Sequence, residues 1–174
     1  HEDAMSAWIK MMPVEGARGF LKEMFDKVMT PSGTVDNVMR VHSLRPQSMN
    51  GHYTLYKSVL HHADLSLLLW FLEAIAVYTS ILNRCDYSLM HHYSNFEKLQ
   101  GDVVWCRALR KALEEETPEA VLQGKDLALI RYAGKLTKTP GEMVAEDVLS
   151  AKREGASDEE ILEVNQVCAY FNYS

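Results

Sequence analysis

The segment LSLLLWFLEAIAVYTSIL, Leu65 to Leu82, limits what this chain can fold into more than any other part of it. It has eighteen residues and one charge, Glu73, near its centre. Its length is at the edge of what crosses a bilayer. A charge at mid-span would cost roughly 2–4 kcal/mol or more in lipid, and no charge asymmetry flanks the segment. It therefore reads as a helix covered by protein on nearly all sides, with no membrane partner. A carboxylate in that setting needs a partner or a proton.

The rest of the chain is punctuated as a helical protein. Gly and Pro fall mostly between periodic segments, and strand-like alternation is nearly absent. EGARGFLKEMFDKVM carries Phe20, Met24 and Met29 at helical spacing, and TPSG breaks it. VDNVMRVHSLRP holds a short helix ending before Pro46. PQSMNGHYTLYKSVLHH is the next helix, Ser66 is placed to cap the apolar one, and another runs from Cys85 to about Leu99. DVVWCRALRKALEEE is amphipathic, and KDLALIRYAGKL is helical with Leu127, Ile130 and Gly134 toward one side. Thr117-Pro118 and Thr139-Pro140 each read as an N-cap followed by proline at the first helical position. The helix opened by the second pair is expected to end at Gly155, and Ser157 with Glu160 forms a capping box for the last helix. The expectation is an all-α domain of roughly eight helices with short loops.

With 47% hydrophobic residues in 174, the chain can bury a sizeable core. The net charge of −6 and the absence of a basic stripe argue against nucleic acid as a partner. Three scattered cysteines, Cys85, Cys106 and Cys168, do not make a disulfide framework and suit a reducing, cytoplasmic setting. The first residues show no secretory signal pattern. The closing AYFNYS stops within an apolar helical pattern, so the natural chain is expected to run on.

The candidate chemistry lies in NRCDYSLMHH, Asn83 to His92. On a helix Cys85, Ser88 and His92 fall at i, i+3 and i+7, within about 60° of one another along one stripe. A helix starting at Cys85 would favour its thiolate, and His92 could take a proton directly, through Ser88, or through water. Glu73 cannot reach this stripe along one straight helix, since twelve residues rise about 18 Å. A turn at NRC would bring it back toward His92, where a carboxylate orients an imidazole and raises its basicity. Cys106 and Cys168 have no acid–base neighbour in sequence and read as core. Adjacent histidines diverge on a helix, and neither a His-x-x-x-His nor a Glu-x-x-His pair occurs. No metal or cofactor is expected; a site shared across helices by His42, His52, His62 and His92 is the remaining metal alternative.

Taken together, Glu73, eleven residues, Cys85, two residues, Ser88, three residues and His92 resemble the Glu-x11-Cys-x-x-Cys-x3-His motif of the alkylhydroperoxidase D and carboxymuconolactone decarboxylase superfamily. RVHSLRP, RYAGKLTKTP and DEEILEVNQVCAYFNYS look like its peroxidase-related branch. The resemblance implies one helical domain over 1–174, with 1–35 as a helical extension and 38–174 as the family-like core. It also implies a symmetric homo-oligomer: dimer, trimer or hexamer. It makes Glu73 and His92 a proton relay, Cys85 the first motif cysteine and the protein an antioxidant oxidoreductase. Ser88 stands where the relatives carry the thiol that the relay serves, so no disulfide can join positions 85 and 88. The expectation is hydroperoxide reduction by Cys85 alone, with an external thiol as reductant and Ser88 as a bridge. The alternatives are lyase or decarboxylase chemistry of the same superfamily, or an inactive structural or binding module.

Overall fold

The structure is a computed structural model and describes residues 7–174. Residues 1–6 of the expected N-terminal extension lie outside the described residues. The chain divides into two compact units, the first ending at His61 and the second running His62–Ser174. Among the described residues every regular element is helical, as expected of an all-α chain.

The first unit contains α1 (Gly19–Val28), α2 (Asn37–Arg40) and α3 (Pro46–Leu60). Met24, Phe25 and Val28 of α1 pack with Met39 and Met49 into its core. Of the three residues read as the apolar stripe of α1, Met24 is buried, whereas Phe20 and Met29 are exposed; Phe25 and Val28 supply the face instead. The segment before α1 is strapped on by polar contacts. The Met12 N–H donates to Ser43 Oγ at 2.8 Å, and Arg40 Nε donates to the Met12 carbonyl at 3.2 Å. Pro46 opens α3 at a position where its missing N–H costs nothing. Beneath α3, His52 Nδ1 meets His42 Nε2 at 3.0 Å.

The second unit is built around α4 (Leu69–Leu82). Ten consecutive residues of α4, Phe71 to Ser80, are buried, so the helix is covered on every side as its composition requires. No helix among the described residues is long and apolar enough to cross a membrane. Around α4 pack α5 (Asp86–Gln100), α6 (Val103–Glu114), α7 (Gly124–Lys138) and α9 (Asp158–Tyr173), while α8 (Ala145–Arg153) lies against α7 and α9. Gly134 of α7 is required by a close approach: a Cβ there would meet Tyr78 Cε1 at 3.0 Å.

One expected cap falls elsewhere, and two others, Thr117 and Thr139, stand as N-cap residues before their prolines but open shorter elements than expected. Ser66 does not cap α4, whose N-cap is Leu68; the Ser66 N–H instead donates to Glu163 Oε1 on α9. Pro118 and Pro140 each open a three-residue 3-10 turn rather than an α-helix. Thr139 is the C-cap of α7, with its hydroxyl returned to the Lys135 carbonyl at 3.4 Å, and α8 starts only after Val144, whose N–H is taken by Asp147. A proline fixes φ for either helix type, so the sequence signal marks a turn without setting its length. The Ser157–Glu160 capping box forms as expected, with both reciprocal bonds at 3.1 Å. Gly155 takes φ +96 just past α8, the left-handed stop expected there.

The His42–His52 contact sets a pH limit. Burial first, and then the neighbouring His42, lower the His52 pKa to about 4. The native first unit therefore binds fewer protons than its unfolded form, and its stability falls as pH drops from about 6.5 toward about 4. The urea midpoint of the α1 and α3 amide signals should move down between pH 7.5 and pH 5. A midpoint that is flat or rises over that range would contradict this.

Candidate active site

Ser80 ends the buried run of α4, and the chain reverses within five residues. Arg84 adopts φ +53, a left-handed conformation uncommon for a side-chain-bearing residue, and the Cys85 N–H returns to the Ser80 carbonyl at 2.9 Å. Cys85 is thus the N-cap residue of α5, and its carbonyl accepts the first helical bond from Leu89 at 3.0 Å. The helix following this turn packs closely on α4.

The reversal brings Glu73 and His92 together. His92 Nδ1 and Glu73 Oε2 are 2.6 Å apart, across nineteen residues of sequence. Glu73 is 3% exposed, and the His92 side chain 14%. An ionised carboxylate only accepts, so Nδ1 carries the proton that makes this bond. In the neutral imidazole the Nε2 lone pair is then left as the basic position. Phe171 of α9 packs edge-on against the His92 ring, with centroids 4.4 Å apart, and limits its rotation.

Ser88 lies on the same turn-facing stripe and bonds to Ser80, which sequence reasoning missed. Ser80 Oγ is 2.7 Å from the Ala76 carbonyl and 2.9 Å from Ser88 Oγ. Ser80 Oγ is the donor to both, and with one proton it serves one acceptor at a time. Ser88 Oγ accepts in that bond, which leaves its own proton free to turn toward the site. The available signal was the i+7 position of Ser80 relative to Glu73, which places the two on one face of α4.

Cys85 is half-buried at this turn, unlike the other two cysteines. The other two thiols are core groups. Cys106 is buried beside Gln100 Oε1 at 3.5 Å, and Cys168 is buried among Thr137 Oγ1 at 3.1 Å, the Ala133 carbonyl and Asn172. Burial raises the pKa of both, which disfavours their thiolates. Among the described residues no group of three or more His, Cys, Asp or Glu side chains converges on a metal-binding position.

Comparison with known proteins supports the same architecture. The structure superposes on the alkylhydroperoxidase AhpD core of an uncharacterized peroxidase-related protein from Ralstonia eutropha with a TM-score of 0.76, at 18% identity, over 95% of this chain and 84% of that one. A peroxidase-related protein from Silicibacter sp. matches with a TM-score of 0.72, at 22% identity, over 96% and 86% of the two chains. The chain has the AhpD-like fold. In sequence it is 28% identical to Sestrin-2 of Mus musculus over 101 residues and 29% identical to Sestrin-2 of Homo sapiens over 112. These matches cover 58% and 63% of this chain but 21% and 23% of the Sestrin-2 chains, so it spans less than a quarter of their length. No protein-family model matches the chain.

Glu73 should hold the tautomer of His92. In the neutral protein, histidine 15N shifts should report the proton on Nδ1, and Glu73→Leu should give a tautomer mixture and cost about 1–3 kcal/mol by orphaning that N–H. An unchanged tautomer in the variant would contradict the pairing.

Proposed function

We propose that the protein reduces hydroperoxides with Cys85 as a single reacting thiol. The observation that carries this reading is the 2.6 Å contact between Glu73 and His92, which turns the Nε2 edge of a histidine into a base two turns along α5 from a half-buried cysteine. The AhpD-like fold supports the reading without deciding it.

His92 Nε2 accepts the Cys85 proton through Ser88 or a bridging water. The thiolate attacks the distal peroxide oxygen, the O–O bond breaks, and Cys85 becomes a sulfenic acid. The departing alkoxide takes the proton back from His92 and leaves as an alcohol. One external thiol then displaces water from the sulfenic acid to form a mixed disulfide. A second external thiol releases Cys85 and leaves as half of a low-molecular-weight disulfide. The cycle consumes one hydroperoxide and two thiols, and it needs no second motif cysteine and no cofactor. Ser88 and Ser80 hold the floor of the site, with the Ser88 hydroxyl available to pass a proton between Cys85 and His92. This chemistry requires a reductant pool, so the reading includes a reducing, cytoplasmic setting and, by analogy of fold, a homo-oligomer. The half-buried Cys85 favours this reading over a sealed, inactive module, and the single base with its serine neighbours offers little for lyase chemistry.

Cys85→Ser should abolish peroxide consumption and labelling by dimedone. His92→Ala should slow oxidation of Cys85 near neutral pH by about 100-fold, within the range of a general base. Unchanged turnover in Cys85→Ser, or an unaltered pH–rate profile in His92→Ala, would remove the corresponding role.

A further inference from the structure

The cleft between α7 and the α6–α7 connection is separate from the thiol site. It has a volume of about 470 Å³ and is lined by Tyr78, Glu116, Pro118, Glu119, Arg131, Gly134, Lys135, Lys138 and Thr139. Arg131, Lys135 and Lys138 stand at i, i+4 and i+7 on α7, one stripe of three cations over about 10 Å of helix rise. Facing them are two carboxylates: Glu116, paired with Lys138, and Glu119, 3.4 Å from Arg131. Lys135 is held by Asp147 at 2.9 Å.

Tyr78 makes this more than a charged surface. It belongs to α4, the most buried helix, and only 5% of it is exposed, yet it forms part of the cleft lining. It reaches there because Gly134 lacks a Cβ; the phenol oxygen would lie 3.2 Å from one. Its hydroxyl makes no hydrogen bond to any described residue. A nine-tenths buried phenol without a protein partner, opening on a cleft lined by three cations and two carboxylates, keeps a hydroxyl free to donate to a ligand.

We propose that this cleft binds a small phosphate-bearing molecule, held by the Tyr78 hydroxyl, Arg131 and the ammonium groups of Lys135 and Lys138. A phosphoryl group has the oxygens to accept from several converging donors at once, and guanidinium suits it in bidentate geometry. The phenol remains a donor across the physiological range, since burial, Glu116 and Glu119 all raise its pKa. Glu116 and Glu119 are exposed, and ion pairs of that kind contribute little, so a dianion can displace them. Glu116 itself sits at φ +54, an uncommon conformation for its type, at the rim of the cleft. The volume lies within the usual range for small-molecule sites.

The test is a two-dimensional NMR titration of the whole chain with inorganic phosphate, using chloride and succinate at matched ionic strength as controls. Saturable shifts at Gly134 and Thr139 are expected, with a Kd on the order of millimolar. Tyr78→Phe keeps the ring against Gly134 and removes only the hydroxyl; Lys138→Gln alters only an exposed end. Each should weaken binding about fivefold or more, as loss of a charge-assisted or buried donor does. Shifts that fail to saturate, that chloride or succinate reproduces, or that neither variant weakens would overturn the proposal. Peroxide turnover has no part in this readout, so the two sites stand or fall separately.

Discussion

A carboxylate in the middle of an apolar helix sets the terms for the second unit. Left unpaired, an ionised Glu73 would cost several kcal/mol in that environment. The contact with His92 answers that cost, and it forms only because α5 folds back along α4. Replacing Glu73 and His92 together by apolar residues of similar size would remove the burial cost altogether. A polar group kept where a hydrophobic one would pack is better explained by what it does to His92 than by stability.

The geometry around that pair follows from the end of α4. Ten buried residues leave the helix no freedom to shift, so the position of Ser80 is fixed, and the Ser80 carbonyl fixes Cys85 through its N–H. The left-handed Arg84 makes the reversal short enough for the sulfur to open α5 rather than sit inside it. Ser88 is then tied back to Ser80, and Phe171 from the last helix closes on His92. Acid, base and thiol come from three points of one hairpin, steadied by α9.

Much of this was legible in the sequence. The single charge in Leu65 to Leu82 predicted a protein-covered helix with a partnered carboxylate, and the spacing from Glu73 to His92 predicted which partner. Both are long-range consequences of strong local patterns: an unbroken apolar run and a fixed i, i+3, i+7 stripe. Ser80 was not legible, because a serine in an apolar run reads as a tolerated polar residue until its neighbour across the turn is known. Tyr78 and Gly134 escaped for the same reason, since their contact joins α4 to α7 and has no periodic trace. Leu68 in place of Ser66 at the head of α4, and 3-10 turns at Pro118 and Pro140, show how weak end signals yield to tertiary bonds such as that from Ser66 to Glu163.

The central claim is that this hairpin gives Cys85 a reactivity that Cys106 and Cys168 lack. The most direct measurement is mass spectrometry of the protein after one equivalent of hydroperoxide, read cysteine by cysteine. Addition of one oxygen to Cys85 alone, trapped as a sulfenic acid and reversed by added thiol, is the predicted result. Oxidation spread evenly over the three cysteines, or confined to methionine with Cys85 untouched, would contradict it.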